Sequence, residues 1–365
     1  MSEVSGRILT PIGWVDGRLH FDARIVEISP ARLASGAPLI LPGFIDLHTP
    51  GGGGADALGG EAAVRTIART HARFGTTAFL PSPVTAPAEE LVSAVAAVAR
   101  VALGRAPGEA RVLGAHVEGP FLNPDRLGAQ PPFTLPPDVA LTERLLAAGP
   151  VRVITLAPEL PGALELIRAL AGRGVKVLLG HSAASYEATI AALEAGAAGF
   201  THLFNAMSAL HQRAPGMVGA ALARAEYAAV IPDLVHVHPG ALRAALRAIP
   251  RLYGTTDAVA AAGMPDGEYR LGNQRVTKRG RTVSLADGTL AGSALTMDQG
   301  LRNLVAIGCD VADAARRLST YPAELLGLAD RGRIAPGAHA DLVVLDPALN
   351  VIAVYVEGES VALTD

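Results

Sequence analysis

The chain has 365 residues, half of them hydrophobic, which is enough for one large core or for a core with a smaller module beside it. Its 31 basic and 34 acidic residues leave a formal charge of −3 without a basic cluster, so nucleic acid is not the expected partner. The sequence contains no run of about 18 apolar residues, so no membrane span is predicted, and no signal peptide is visible. The single Cys309 excludes an internal disulfide. We therefore expect a cytoplasmic protein.

The predicted elements differ between the two ends of the chain and its middle. Residues 1–40 and 330–365 contain short strand-like segments separated by Gly, Pro and Asp. Residues 41–329 alternate Ala- and Leu-rich helical segments with eight apolar strands: LILPGFIDLH, TTAFLPS, RVLGAHVEG, VRVITLAP, VKVLLGHS, AGFTHLF, YAAVIPD and RLYGTTD. This pattern predicts an α/β fold, in which a (β/α)8 TIM-like barrel lies beside a small β-sandwich domain built from both chain ends.

An open doubly wound sheet is the alternative architecture, because it also alternates strands with helices. Its glycine fingerprint, G-x-G-x-x-G after a strand, is missing, since the GGGG at 51–54 does not match it. The barrel is therefore preferred, and in a barrel the chemistry lies at the carboxyl ends of the strands.

Polar residues follow six of the eight predicted strands: Asp46 with His48, then Glu118, His181, His202, His236 and Asp257. The carboxyl ends of barrel strands meet on one face, however far apart they are in sequence. One Glu and two His form a ligand set typical of a catalytic divalent metal, with one position left for water. Asp257 across the mouth of the barrel is suited to handle the proton of that water.

Each of these residues, taken singly, has a simpler interpretation. A His at a strand end is more often a cap or a packing residue, Glu118 suits a salt bridge, and Asp257 suits a helix N-cap. Convergence on one barrel face favours a site. His116, two residues before Glu118 and on the same side of its strand, is expected beneath that site. Three histidines outside the strand ends are interpreted as surface residues: His20, His71 and His339.

Eight segments that together span nearly the whole chain form a recognisable set: LPGFIDLH, HVEGPFLN, GHSAASYE, THLFNAMS, RAPG, TDA, GTLAGSALTM and YPAELLGLADRGRIAPGAHADLVVLD. In these segments and in their order, the chain resembles the N-acetylglucosamine-6-phosphate deacetylase family of the amidohydrolase superfamily. The GHS…THLFNAM and GTLAGSALTM segments are specific to this family, whereas PGFID.H marks only the superfamily. The resemblance implies hydrolysis of N-acetyl-D-glucosamine 6-phosphate to D-glucosamine 6-phosphate and acetate, in amino-sugar metabolism.

The resemblance also implies a role for each site residue. It places one divalent metal per chain, zinc first and iron or another ion as alternatives, on Glu118, His181 and His202. It makes Asp257 the general base and acid that serves a metal-activated water, and it makes His236 the group that polarises the acetamide carbonyl. The remaining implied substrate contacts are Ala129, Gln130, Asn205, Ala206, Arg213, Leu290, Ala291 and Gly292.

The partner that the resemblance implies is a small amino-sugar phosphate, bound by a homodimer. Arg213 in HQRAPG matches the family's phosphate-binding arginine, which reaches into the neighbouring subunit's site. A guanidinium fork suits a phosphate group, because it donates two parallel hydrogen bonds.

The chain departs from its relatives at two positions. Where many superfamily members have H-x-H, it has His48-Thr49-Pro50; Pro50 cannot bind a metal, so only a weak second metal site at His48 is expected. Where the family commonly has a His near the substrate, it has Gln130, an amide that contributes no positive charge.

Lysine usage separates the chain from dihydroorotase- and hydantoinase-like relatives. Those enzymes bridge two metals with a carboxylated lysine on the fourth strand. Only Lys176 and Lys278 occur here, and neither lies in the fourth predicted strand.

Two other functions stay open at this point. One is a related amidohydrolase that acts on another N-acyl amino sugar or on an N-acyl amino acid, because Gln130 weakens the case for a phosphate. The other is a non-catalytic barrel, which predicts the loss of a metal ligand or of the acid. Glu118, His181, His202 and Asp257 are all present, which argues against it.

Overall fold

A computed structural model describes residues 1–364 of the chain. Its strands are β1 Ser2–Thr10, β2 Gly13–Phe21, β3 Ile25–Pro30, β4 Leu39–Pro42, β5 Phe44–Thr49, β6 Gly51–Gly52, β7 Ala55–Asp56, β8 Thr76–Pro81, β9 Arg111–Val112, β10 Ala115–Glu118, β11 Val151–Leu156, β12 Lys176–Leu179, β13 Gly199–Phe200, β14 Tyr227–Val230, β15 Arg251–Gly254, β16 Gly267–Leu271, β17 Gln274–Arg279, β18 Thr282–Ser284, β19 Leu342–Leu345, β20 Val351–Val356 and β21 Glu359–Ser360.

The helices alternate with the strands through the middle of the chain. They are α1 Gly60–Ala72, α2 Ala88–Ala102, α3 Val139–Ala148, α4 Ala163–Gly172, α5 Tyr186–Glu194, α6 Gly216–Arg224, α7 Pro239–Ala248, α8 Met297–Ala306, α9 Val311–Leu318 and α10 Thr320–Leu325. None of the helices in residues 1–364 is both long and apolar enough to cross a membrane.

The two chain ends meet in one seven-stranded mixed sheet, in the order β21-β20-β19-β4-β1-β2-β3. β1 pairs in parallel with β4, and the other neighbours pair antiparallel. Ile8, Leu19 and Phe21 alternate with exposed residues along β1 and β2 and are fully buried, as expected for strands with one face on a core. This sheet forms the small β domain that the sequence predicts from the two chain ends. The domain boundaries at residues 40 and 330 remain predictions.

The middle of the chain forms the predicted ring of parallel strands. Its members, in chain order, are β5, β8, β9 with β10, β11, β12, β13, β14 and β15, and the strands that form regular ladders within it pair in parallel. Backbone hydrogen bonds connect the ring where the regular ladders are interrupted: Glu118 N to Pro83 O (3.2 Å), Leu203 N to Ala229 O (2.8 Å) and Asp257 N to His48 O (3.0 Å).

The first predicted strand, LILPGFIDLH, is divided in the structure. Its first half is β4 in the end sheet, and its second half is β5 in the barrel. The division falls at Gly43, whose N–H donates to Asp341 O at 2.8 Å and whose α-carbon packs so close to Thr77 that a side chain would collide with it. Glycine therefore lets one continuous apolar segment serve two sheets.

Apolar side chains fill the lower part of the barrel. They include Ile45, Leu47, Leu80, Val153, Leu178 and Tyr253, each of them fully buried. Because the interior is packed there, the barrel cavity lies above these side chains, at the carboxyl ends of the strands.

His71 was expected on the surface, and this expectation is wrong. It is fully buried in α1, and its Nε2–H donates to Gly51 O at 2.8 Å. The reason is helical periodicity: His71 lies four residues after Ile67 and shares its buried face. His20 and His339 are partly exposed, as surface positions allow.

Candidate active site

Three of the predicted metal ligands meet above the barrel core. Glu118 ends β10, His181 follows β12 and His202 follows β13. The Oε1 atom of Glu118 lies 3.2 Å from Nε2 of His181 and 3.0 Å from Nε2 of His202, and the two Nε2 atoms are 3.1 Å apart. All three side chains are buried. The barrel has brought together residues from three separate strand ends.

These distances fit one divalent ion. Bonds of about 2.0–2.1 Å from a tetrahedral zinc ion place its ligand atoms roughly 3.3 Å apart. His48 lies beside the same carboxylate, and the buried group of His48, Glu118 and His202 keeps its ligand atoms within 4.8 Å of one another. Such a histidine–carboxylate group is a ligand set typical of metal-dependent hydrolases, and sets of this kind accept zinc, iron and other divalent ions.

The backbone is strained at four of the predicted site residues. His181, His202, Ala206 and Asp257 have φ angles of +48°, +31°, +53° and +50°. This left-handed conformation is uncommon for residues other than glycine, and it is concentrated at functional sites where the surrounding fold enforces it. All four residues line the cavity at the mouth of the barrel.

Hydrogen bonds behind His181 set the orientation of its ring. Its Nδ1–H donates to Arg126 O at 2.9 Å, which leaves Nε2 free to bind a metal. Glu159 holds the adjoining segment by accepting hydrogen bonds from Ser182 Oγ (2.7 Å) and Ala183 N (2.6 Å). Glu159 was not among the predicted site residues, although it lies just beyond the carboxyl end of β11.

Gln130 orients the Glu118 carboxylate. Its Nε2 donates to Oε2 of Glu118, and its Oε1 accepts the Thr85 N–H at 2.8 Å. Gln130 was predicted as a substrate contact; it does line the cavity, but both ends of its amide are engaged by the protein. Burial raises the pKa of Glu118, but the three surrounding histidines outweigh this effect and hold that pKa well below its usual range. Glu118 is therefore a carboxylate.

The side chains of His48 and Asp257 face each other within the same site. Nε2 of His48 lies 3.1 Å from Oδ1 of Asp257 and 3.3 Å from Oε1 of Glu118. Burial lowers the pKa of His48, but these two carboxylates raise it to about 10. Gly292, at φ +56°, packs against the Asp257 backbone without room for a side chain, so the segment GTLAGSALTM fixes Asp257 in place. His116 lies beneath His48 and is fully buried.

His236 is paired with Asp233, a carboxylate that was not among the predicted site residues. Its Nδ1–H donates to Oδ2 of Asp233 at 2.7 Å, and the backbone N–H groups of Val235 and His236 donate to Oδ1 of Asp233. Burial lowers the pKa of His236, but the Asp233 carboxylate outweighs burial and raises it. The Asp-x-x-His spacing on a tight turn was the available signal.

A cavity of about 410 Å³ opens in front of these groups. Glu118, His181, His202, His236 and Asp257 all line it. The predicted substrate contacts that also line it are Ala129, Gln130, Asn205, Ala206, Leu290 and Gly292.

Two predicted substrate contacts lie outside this cavity. Ala291 is fully buried behind its wall, and Arg213 is exposed on a loop beyond it. Arg126, which was not among the predicted site residues, is the one arginine or lysine among the described residues that line the cavity.

Comparisons with known proteins identify the family of the chain. The model of the amidohydrolase family matches residues 39–361. N-acetylgalactosamine-6-phosphate deacetylase of Escherichia coli is 39% identical over 97% of both chains, and N-acetylglucosamine-6-phosphate deacetylase of Homo sapiens is 40% identical over 99% of this chain and 90% of its own. A solved structure of a Mycobacterium smegmatis N-acetyl-D-glucosamine-6-phosphate deacetylase variant, in complex with N-acetyl-D-glucosamine-6-phosphate, superposes with a TM-score of 0.92 at 36% identity over 99% of both chains.

Proposed function

The chain belongs to the amidohydrolase family, and we propose that it hydrolyses N-acetyl-D-glucosamine 6-phosphate to D-glucosamine 6-phosphate and acetate. The observation that carries this proposal is the arrangement of Glu118, His181 and His202 opposite Asp257 in one cavity. Similarity to deacetylases of amino-sugar phosphates over nearly the whole chain supports the substrate class.

The proposed ligands of one divalent ion are Glu118, His181 and His202. When bound, the ion supplies Lewis acidity, which makes a neighbouring water molecule more acidic and polarises a carbonyl group. Gln130 occupies the second oxygen of Glu118, so a single oxygen of this carboxylate faces the histidines.

The proton transfers are assigned to Asp257 and His236. Asp257 accepts the proton of the water that attacks the acetyl carbonyl, and it returns that proton to the departing amine nitrogen. His236, with Nδ1–H bound to Asp233, donates from Nε2 to the acetyl oxygen when it is protonated. The raised pKa of His236 favours this protonated form.

The cavity suits one sugar phosphate. Its volume of about 410 Å³ lies within the roughly 300–1,000 Å³ common for small-molecule sites. The side chain of Arg126 offers a positive wall, and Arg213 lies outside its own cavity, which supports a role in the neighbouring site of a homodimer.

A substrate panel tests the proposed activity. Acetate release should be fastest with N-acetylglucosamine 6-phosphate, slower with N-acetylmannosamine 6-phosphate and N-acetylgalactosamine 6-phosphate, and slowest with unphosphorylated N-acetylglucosamine. The galactosamine epimer is the second candidate, because a deacetylase of that substrate shares 39% identity over 97% of both chains. A higher kcat/KM for the galactosamine substrate would replace the proposal with that activity, and no acetate release from any of the four would refute both.

Arg213→Ala should raise KM for the phosphorylated sugar much more than for the unphosphorylated one. A hydrogen bond between charged groups is worth about 1.5–3 kcal/mol, or roughly ten- to a hundredfold in affinity. Steady-state kinetics on both sugars measure this difference. Equal changes with both sugars would show that Arg213 does not contact the phosphate.

Mixed dimers test whether Arg213 acts in the neighbouring site. A dimer of one Arg213→Ala subunit and one Asp257→Asn subunit contains one site with Asp257 and the partner's intact arginine. This dimer should recover phosphate-dependent activity that neither homodimer has. If Arg213 served its own subunit, both sites of the mixed dimer would stay defective.

Asp233→Asn should move the alkaline limb of the kcat/KM profile to lower pH. The Asp233 carboxylate raises the pKa of His236, so protonated His236 persists to higher pH in the wild type and disappears as pH rises through that pKa. The amide keeps the acceptor oxygen for the backbone N–H groups but removes the charge. The acidic limb of the profile should stay at the same pH in both proteins. An unchanged alkaline limb would show that His236 does not determine the pH dependence of kcat/KM.

A further inference from the structure

The position of His181 depends on two segments of the chain that contact it. The first is the turn at residues 123–126: the Nδ1–H of His181 donates to Arg126 O at 2.9 Å, and its carbonyl oxygen accepts the Asn123 N–H at 3.0 Å. The second segment follows His181 directly and begins with Ser182, which is fully buried. Both segments must stay in place for the ring of His181 to keep its orientation.

Glu159 holds both segments with one carboxylate. Its Oε1 accepts the Asn123 Nδ2–H at 2.8 Å, which fixes the first segment. The same oxygen accepts the Ala183 N–H at 2.6 Å, and Oε2 accepts the Ser182 hydroxyl at 2.7 Å, which fixes the second. Glu159 itself lies just beyond β11. A side chain from a third element therefore joins the two segments that support His181.

The contacts of Glu159 with the active site pass through these segments. Glu159 is not among the residues that line the active-site cavity, so it is not placed to contact a substrate there. Both of its carboxylate oxygens accept hydrogen bonds from residues beside His181. Any effect of this carboxylate on the site is therefore an effect on the position of His181.

His181 needs this support because its backbone is left-handed, with φ at +48°. A residue other than glycine keeps such a conformation only where the surrounding structure enforces it. Two of the hydrogen bonds that do so come from Ser182 and Ala183, and both of them are accepted by Glu159. Without Glu159, the backbone is free to relax, which would move Nε2 of His181 from its place 3.2 Å from Oε1 of Glu118.

His202, the other histidine of the proposed metal set, has no comparable support. Its Nδ1 is buried and has no hydrogen-bond partner among the described residues, although its Nε2 lies 3.0 Å from Oε1 of Glu118. A histidine that binds a metal almost always donates its other N–H to a fixed partner, and the loss of such a partner typically lowers metal affinity roughly ten- to a hundredfold. His181 is thus the histidine of this pair whose ring the protein holds by a hydrogen bond on the far nitrogen.

We infer that Glu159 is a positioning residue for the metal site, because it joins the two segments that hold His181 in the geometry that retains the ion. It contacts neither the ion nor the substrate. The inference rests on the proposed function, which makes His181 a metal ligand, and it does not depend on which sugar the enzyme uses. Removal of Glu159 should weaken metal retention although all three proposed ligands are still present.

Transfer of zinc from the loaded full-length protein to a chromogenic chelator tests this inference. Glu159→Leu removes the acceptor of all three hydrogen bonds and should raise the Kd for zinc roughly ten- to a hundredfold. Glu159→Gln should keep a Kd close to the wild-type value, because its amide oxygen still accepts from Asn123 and Ala183. Glu165→Leu is the matched control in α4, where the exposed Glu165 carboxylate lies 3.9 Å from Arg168, and it should behave as the wild type.

The outcome in His181→Ala separates this inference from the proposed function. A wild-type Kd in Glu159→Leu, together with lost zinc in His181→Ala, would refute positioning by Glu159. Tight zinc binding in His181→Ala would refute the proposed ligand set instead. Saturating zinc should return kcat of Glu159→Leu to near the wild-type value, because its ligands are intact. A kcat that stays low at full zinc occupancy would give Glu159 a different role and overturn the inference.

Two milder variants keep the inference testable if Glu159→Leu does not fold. Ser182→Ala removes the hydroxyl that Glu159 accepts, and Asn123→Ala removes the amide, and neither residue lines the cavity. Each variant should raise the Kd for zinc, by a smaller factor than the loss of the whole carboxylate. Wild-type zinc retention in both variants would contradict the inference.

Discussion

Replacement of Asp257 by asparagine should lower kcat by roughly 10²–10⁴-fold, the range typical of a general acid–base group. Asparagine keeps the size of the side chain but neither accepts the proton of the attacking water nor returns it to the amine. The metal content should stay at one equivalent, because Asp257 is not among the proposed ligands. Stopped-flow or steady-state measurement of acetate release, with metal analysis of the same sample, tests this result.

The matched variant for this experiment is Asp16→Asn. It makes the same chemical change on the exposed end sheet, where Asp16 pairs with Arg7 at 3.5 Å, and it should leave kcat unchanged. If Asp257→Asn retained near-wild-type kcat, the proton acceptor would have to be another group. An Asp257→Asn protein without its metal would instead place Asp257 in the coordination sphere.

Replacement of His181 by alanine should remove the metal and the activity together. Each proposed ligand is one of three, so the loss of one nitrogen leaves a site that no longer holds zinc tightly. Metal analysis should fall from about one equivalent to a small fraction, and kcat/KM should fall to background. Excess zinc in the assay should restore little activity.

His20→Ala is the control for this prediction, because His20 lies in the end sheet, with Nδ1 3.5 Å from Glu3. It should retain both metal and activity. His202→Ala should reproduce His181→Ala. Full metal content in His181→Ala or His202→Ala would show that other residues of the site bind the ion, for example residues nearer His48.

Much of the site could be predicted from single positions in the sequence. Glu118, His181, His202 and Asp257 each follow an apolar strand, and a barrel places all strand ends on one face. The position of a strand can be identified from the local sequence, because a short run of apolar residues lies between two helical segments. The same reasoning reached His236, but it did not reach Asp233, although Asp233 is only three residues away.

Other assignments required the folded chain. The apolar segment LILPGFIDLH reads as one strand, yet its halves enter different sheets because Gly43 packs against Thr77 and bonds to Asp341, far away in sequence. Gln130 reads as a substrate contact, yet its amide is engaged by Glu118 and Thr85. In both cases the deciding partner comes from another element.

The alternation of strands and helices and the residue types at the strand ends follow from the sequence alone, because hydrophobic periodicity and chain order are local properties. The state of each buried polar group depends instead on the partners that folding brings to it. The histidines around Glu118 hold its pKa well below the usual range, and the Asp233 carboxylate raises the pKa of His236. In a buried site, a hydrogen is placed by the partners within about 3 Å, and packing brings most of those partners together across the barrel.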